Sequence, residues 1–136
     1  MTARKAVTAG VLSFLGVTAV GGGVAILVGA TPPSSWLDNV PLISGWTIPG
    51  LVLALGFGAG SLLVTWGVLR GLRWSRAAVL LDGLGLVVWI ALEIAYLPQT
   101  SWLQWLYAAA GLALLLLAAV PNRLAALPNR REPCRR

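Results

Sequence analysis

Residues 70–97 read RGLRWSRAAVLLDGLGLVVWIALEIAYL, a cluster of three arginines followed by an apolar stretch in which Asp82 and Glu93 are the only charges. A helix rises about 1.5 Å per residue and the hydrocarbon core of a bilayer is about 30 Å thick, so about 20 apolar residues are enough to cross it. The segment Ala77–Leu97 has that length. We therefore predict a transmembrane helix that begins next to basic residues.

Three further segments have the same character, and they are Ala6–Ala30, Ile48–Leu69 and the shorter Leu103–Val120. Of the 136 residues in the chain, 58% are hydrophobic and only 10% are charged, whereas a soluble protein carries about 25% charged residues. The sequence therefore predicts an all-α fold, a polytopic membrane protein whose four transmembrane helices form a bundle. We expect a single domain over residues 1–120 and a basic cytoplasmic tail over residues 121–136.

The basic residues predict the orientation of the four spans. All ten precede span one, separate spans two and three, or follow span four, and the links 31–47 and 98–102 contain none. They are Arg4, Lys5, Arg70, Arg73, Arg76, Arg123, Arg130, Arg131, Arg135 and Arg136. Because loops rich in Lys and Arg stay in the cytoplasm, both termini are predicted to be cytoplasmic, in a multi-pass protein of the bacterial inner membrane.

The link 31–47 is predicted to contain one short turn of helix at the membrane surface. Pro32 and Pro33 end the first helix, and Ser35 begins a sequence that resembles an N-terminal capping motif. Trp36 and Trp46 flank this link, where amphipathic rings prefer to lie.

Glycines are the candidates for helix packing, since close approach of small residues drives helix association in lipid. Span two contains Gly67 and a Gly56-x-x-x-Gly60 pair, and span one contains the run Gly21-Gly22-Gly23. We interpret both sets as seams for neighbouring backbones. A moving hinge or a ligand contact is the alternative for the run of three glycines.

Span three contains a polar stripe. Asp82 and Glu93 are eleven residues apart, which at 100° per residue is within about 20° of whole turns, so the two share a face about 16 Å apart along the axis. Trp89 and Tyr96 lie on the same stripe. A carboxylate at the centre of a bilayer costs about 2.5–3.5 kcal/mol, so the stripe is predicted to face the bundle interior or water.

The two carboxylates have different candidate partners. Asp82 is about 9 Å along the helix from Arg76, and we predict an ion pair with Arg76 or Arg73 at the inner interface. Glu93 has no cation near the outer surface, so a hydrogen bond from a group such as Gln104 or Tyr107 is expected. These partners are polar residues near the outer ends of the helices.

Two interpretations of Glu93 remain open. It is either a neutral, hydrogen-bonded acid that locks spans three and four together, or a polar group in an outward-facing cavity that contacts a lipid headgroup, a small ligand or a proton. The residues predicted to line such a pocket are Glu93, Trp89, Tyr96, Gln104 and Tyr107.

The loop between spans two and three is predicted to contact anionic lipid. Arg70, Arg73 and Arg76 lie beside the cytoplasmic headgroups, where each basic residue contributes about 1 kcal/mol of attraction. Since membrane topology accounts for the positive charge, no nucleic-acid partner is expected.

Several functional classes are excluded by composition. The chain has no histidine and its one cysteine is Cys134, so His-based metal sites, haem ligation by histidine, a Ser-His-Asp triad and an internal disulfide are not available. Carboxylates about 16 Å apart cannot act as one acid/base pair. We therefore expect no cofactor, no metal and no enzymatic activity.

The segments Ile48-Pro49-Gly50-Leu51, Trp89-Ile-Ala-Leu-Glu93, Ser101-Trp102-Leu103-Gln104 and Gly111-Leu112 resemble a set of small four-span bacterial integral membrane proteins with no assigned activity. The similarity covers spans two to four. It implies four helices and residence in a membrane, and it implies no activity.

These observations lead to two hypotheses about function. The first is a non-enzymatic membrane protein that acts by contact, as an accessory subunit of a membrane-protein partner or as a binder of a lipid-like ligand between its helices. The second is a small transporter or oligomeric channel, linked to protons or cations, that uses Glu93. A channel would need a continuous polar path, and a homo-oligomer could supply one.

Overall fold

The computed structural model describes residues 1–41 and 43–120, and in this part of the chain all regular structure is helical. The long helices are α1 (Ala3–Leu27), α2 (Thr47–Arg70), α3 (Ser75–Tyr96) and α4 (Trp102–Ala119). By length and composition each could cross a membrane. The prediction of four long apolar helices is thus confirmed, with boundaries that differ by a few residues. The predicted tail, 121–136, lies outside the described residues.

The helices pack as two antiparallel pairs. α1 packs mainly against α2, and α3 packs mainly against α4. The pairs meet in a core formed by apolar side chains of all four helices. Its buried members include Leu12 and Leu15 of α1, Val64 of α2, Leu86 of α3 and Leu114 of α4.

The two ends of the bundle differ in charge. We call the end that carries Arg4, Lys5, Arg70, Arg73 and Arg76 the basic end. Gly71 ends α2 there in the left-handed conformation (φ 69°), a common way to stop a helix without strain.

We call the opposite end, formed by the link 28–46 and the turn 97–101, the link end. The link contains a 3₁₀ turn at Ser34–Leu37. Leu37 of this turn is buried, so the short helical turn expected in the link is present and packs onto the bundle.

Glycines set the separation of α1 and α2. A Cβ added to Gly23 would lie 2.6 Å from both the Ala54 nitrogen and the Gly50 oxygen. One added to Gly58 would lie 2.6 Å from the side chain of Val20. The backbones approach so closely at these points that only glycine fits without a shift. The glycine run remains helical, as the tight-crossing interpretation requires.

The prediction that Gly56 and Gly60 form a seam is wrong. A Cβ on either would meet only atoms of its own helix, at 3.8 Å. The stretch of α2 from Val52 to Ala59 is π-helical. Gly56 and Gly60 each lie two residues from Gly58, which is about half a turn, so both point away from α1. Gly58 faces α1 instead.

The other predicted packing glycines have different surroundings. Around Gly21 there is open space, and near Gly22 the closest neighbour of an added Cβ is a Leu53 methyl at 3.4 Å. Gly67 makes room for the Trp74 ring, which would lie 2.7 Å from an added Cβ. It therefore accommodates an indole rather than a neighbouring backbone.

The second helix pair has its own close approach. A Cβ on Gly83 would lie 2.9 Å from the Gly111 oxygen, and one on Gly111 would lie 3.1 Å from the Gly83 oxygen. Facing glycines therefore bring α3 and α4 together. They also set the position of the two helices along each other, which places Glu93 opposite the start of α4.

We expect Gly23→Ala to lower the free energy of unfolding by about 1–3 kcal/mol, because the added methyl overlaps the α2 backbone. Gly21→Ala is the matched control, two residues away in the same run. It meets no atom within 4 Å, and it should leave stability unchanged or raise it by up to about 1 kcal/mol. Unfolding in mixed micelles with increasing sodium dodecyl sulfate measures both. Equal effects would show that α1 and α2 do not cross at Gly23.

Candidate ligand-binding site

Both carboxylate oxygens of Glu93 accept hydrogen bonds. The indole Nε1 of Trp89, one turn earlier on α3, donates to Oε1 at 2.7 Å. The amide Nε2 of Gln104, on α4, donates to Oε2 at 3.2 Å. Both donors are neutral groups. The side chain of Glu93 is half-buried, and through Gln104 it joins α3 to α4.

A capping box at the start of α4 orients Gln104. Its Oε1 accepts a hydrogen bond from the Ser101 backbone nitrogen at 3.0 Å, while Ser101 caps the helix in return. The amide is therefore fixed at both ends, and Gln104 is only 7% exposed. The sequence signal is the Ser-x-x-Gln spacing at 101–104. Gln104 was thus expected as a partner of Glu93, whereas its role in this capping box was not.

A cavity of about 200 Å³ lies at the link end of the bundle, with Glu93 in its wall. We call it the link-end cavity. Trp46, Trp89 and Tyr96 contribute aromatic walls, and most of its other lining residues are apolar side chains from α3 and the link. Three predicted pocket residues, Glu93, Trp89 and Tyr96, are thus brought together here.

A second cavity of about 200 Å³, the interhelical cavity, lies on the other side of Glu93 and Trp89. Polar side chains from all four helices line it, among them Thr18, Ser61 and Tyr107. The Trp89 ring packs against Phe57 with centroids 5.8 Å apart and planes at 59°. Trp89 and Glu93 therefore form the partition between the two cavities.

Tyr107 lines the interhelical cavity but does not bind Glu93, contrary to one of the partners expected from the sequence. Its hydroxyl donates to Thr18 Oγ1 on α1 at 2.7 Å. Thr18 in turn donates to the Phe14 carbonyl oxygen at 2.7 Å. The Gln104 amide, held by its cap, reaches Glu93, and the tyrosine connects α4 to α1.

Asp82 does not form the predicted ion pair with Arg76 or Arg73. Ser61 Oγ, on α2, donates to Asp82 Oδ2 at 2.9 Å. Arg76 Nε donates to the Ala118 carbonyl oxygen at 2.9 Å, so it supplies a hydrogen bond to the last turn of α4. Six residues of helix rotate a side chain by about 600°, which points Arg76 and Asp82 in different directions. Ser61 is a hydroxyl that could form a hydrogen bond within the bundle, but nothing in its spacing identifies it as the partner of Asp82.

The predicted lipid-contact arginines are spread over the basic end. The guanidinium of Arg70 lies 5.6 Å from the centre of the Trp66 ring, and Arg73 is exposed. Arg76 joins Arg4 and Lys5 in the wall of a third cavity, of about 280 Å³. The basic charges are thus divided between an exposed loop and a partly enclosed site.

One buried donor at the link end has no acceptor. The indole Nε1 of Trp46 is buried and has no hydrogen-bond partner among the described residues. Leaving such a group unsatisfied costs about 1–3 kcal/mol. Trp46 therefore holds its position through packing of its ring, which forms a wall of the link-end cavity.

Over residues 1–41 and 43–120, no three His, Cys, Asp or Glu side chains come together as a metal site would require. What the site presents is a carboxylate, aromatic rings and apolar walls. Comparisons with protein-family models, with curated proteins and with solved structures find no match for this chain.

The bond between Ser61 and Asp82 can be tested against the ion pair with a double-mutant cycle. We expect Ser61→Ala and Asp82→Ala to be coupled by about 1–2 kcal/mol, because a hydroxyl donates to a half-buried carboxylate. In the control cycle, Arg76→Gln and Asp82→Ala should couple within about 0.5 kcal/mol of zero. Unfolding in mixed micelles supplies the free energies. Stronger coupling in the control cycle would show that the ion pair between Arg76 and Asp82 forms after all.

Proposed function

We propose that this chain is a multi-pass protein of the bacterial inner membrane, with both termini in the cytoplasm. Each helix turns large apolar side chains outward, as shown by the exposed fractions of Val17 (64%), Leu55 (64%), Leu81 (70%) and Leu116 (67%). Apolar surface on all sides of a bundle is stable in lipid and costly in water. The lengths of the four helices fit the thickness of a bilayer.

The orientation rests on the basic end. Its five cations are the basic residues of the described part of the chain, and the link end has none. Such a charge difference keeps the basic end in the cytoplasm. The cavity bordered by Arg4, Lys5 and Arg76 then lies at the inner leaflet, where anionic headgroups are the natural counter-charges.

Cysteine labelling tests this orientation. Cys134, the single cysteine of the sequence, should react with a membrane-impermeant maleimide only after spheroplasts are permeabilised. Asn39→Cys, placed in the link in a Cys134→Ser background, should react in intact spheroplasts. The opposite pattern would reverse the topology, and labelling of both positions without permeabilisation would contradict the four-span topology.

Within that topology, we propose that the chain binds a lipid-like amphiphile in the link-end cavity, without enzymatic chemistry. The observation that carries this proposal is the combination of apolar walls with one anchored carboxylate. Binding sites for small molecules are typically lined by apolar and aromatic groups, with a few fixed polar groups for orientation. Trp89 and Gln104 hold Glu93 in this manner.

The size of the cavity fits part of an amphiphile. A cavity of roughly 150 Å³ holds a benzene-sized molecule, and the link-end cavity measures about 200 Å³. It accommodates a headgroup or the first part of a chain. The remainder would lie along the exposed apolar surface of α3, where Leu92 is 50% exposed at the margin of the cavity.

A space-filling substitution tests this proposal. Leu92→Trp adds a ring at the wall of the cavity and should remove most of the amphiphile that co-purifies after gentle extraction, as measured by native mass spectrometry. Leu84→Trp is the control on the same helix, since Leu84 is similarly exposed (53%) and lines none of the three cavities described above. It should retain the native amount.

Two results would contradict binding in the link-end cavity. One is loss of the amphiphile from both variants to the same extent. The other is a native chain that carries no amphiphile and instead retains a stoichiometric protein partner, which would favour the accessory-subunit hypothesis.

A further inference from the structure

Glu93 is a carboxylate without a cationic neighbour among the described residues. Its two donors, Trp89 and Gln104, are neutral. The positive charges of residues 1–41 and 43–120 all lie at the basic end, and neither 6–69 nor 77–122 contains Lys or Arg. The Glu93 carboxylate is therefore anchored and oriented, while its charge is not balanced by the helices that surround it.

An unbalanced carboxylate in an apolar site is costly, and a nearby opposite charge lowers that cost. Neutral hydrogen bonds satisfy the lone pairs of the oxygens but leave the net charge. Because the bundle brings no cation to this point, a ligand that carries one would supply the missing counter-charge. The link-end cavity borders Glu93 directly and gives such a ligand access.

The walls of the cavity suit a positive charge. Trp46, Trp89 and Tyr96 line it together with Glu93. Aromatic faces attract cations through the ring quadrupole, and sites for quaternary ammonium groups use several such rings. Ammonium groups that carry methyl or methylene carbons also pack well against apolar surfaces. A carboxylate among aromatic rings thus favours an organic cation, because the carboxylate and the rings attract its charge and the apolar walls pack against its carbon atoms.

The charges at the link end disfavour a phosphate. Asp38 is the charged residue of the link, and Glu93 is the next acidic group toward the bundle. A phosphodiester would meet negative charge here and find no cation among the described residues of this end. An amphiphile whose headgroup is a single positive charge matches the site better than a zwitterionic phospholipid does.

We propose that the link-end cavity selects a cationic amphiphile, with an ammonium headgroup held between Glu93 and the rings of Trp46, Trp89 and Tyr96. This inference rests on the proposed amphiphile binding and names the chemical class of the ligand. The hydrocarbon tail leaves the cavity past Leu92 and lies along α3. Discrimination arises from the charge of the headgroup.

The test compares two ligands of nearly equal shape. Dodecyltrimethylammonium is a cation, and dodecyldimethylamine oxide is uncharged overall at pH 8. Both are titrated, below their micellar concentrations, into the purified full chain in a neutral maltoside detergent, and binding is followed by native mass spectrometry. We expect the native chain to bind the cation about tenfold more tightly. This comparison needs no substitution, so it does not depend on the folding of a variant.

Two variants assign the preference to Glu93. Glu93→Gln should bind both ligands within about twofold of each other, because the carbonyl of glutamine still accepts a hydrogen bond but carries no charge. Asp82→Asn, which removes the other carboxylate of α3, should keep the tenfold preference. A preference that persists in Glu93→Gln would overturn the inference.

Other outcomes separate the inference from the function on which it rests. If both ligands bind equally to the native chain and Leu92→Trp abolishes both, the amphiphile site stands and the selection of cations fails. If neither ligand binds, both proposals fail. A last experiment measures competition in nanodiscs. If phosphatidylethanolamine competes as well as the alkylammonium does, the occupant is a phospholipid headgroup, contrary to the inference.

Discussion

A carboxylate inside an apolar bundle is stable only when its oxygens are satisfied, and the hydrogen bonds of Glu93 meet this requirement. They link Trp89 on α3 to Gln104 on α4. Because the Gln104 amide also caps its own helix, the position of Glu93 depends on where α4 begins. The same side chain separates the two cavities. The geometry of the link end therefore depends on this acid and on the donors that hold it.

Close contacts of glycine place the helices that carry these groups. Gly23 and Gly58 bring α1 and α2 together, and Gly83 and Gly111 do the same for α3 and α4. In lipid, apolar side chains gain little by leaving one apolar surrounding for another, so backbone proximity and hydrogen bonds between helices contribute more. The bonds from Ser61 to Asp82 and from Tyr107 to Thr18 join the two pairs. These polar groups on the inner face of the bundle thus also have a structural role.

Apolar length and charge distribution were sufficient to predict the four helices, because both are properties of single segments. Proximity of Glu93 to Gln104 was also predictable, since the two residues lie at adjoining ends of consecutive helices. The partner of Asp82 was not. The helical phase of α3 alone separates Arg76 from Asp82, but identifying Ser61 requires the rotation of α2 relative to α3, which depends on packing between elements distant in sequence. Likewise, the spacing of Gly56 and Gly60 identified one face of α2 but not the face that meets α1, which contains Gly58 instead.

The π-helical stretch Val52–Ala59 changes the direction in which the side chains of α2 point around the helix axis. Wide turns accommodate more residues over the same rise, so the half of the helix toward Pro49 is rotated relative to the half toward Arg70. Loss of a single residue within it would turn one half against the other by about 100°. Pro49, a wall of the link-end cavity, would swing away from Trp89 while Ser61 kept its bond to Asp82. This stretch therefore determines whether the two halves of α2 can face their separate partners at the same time.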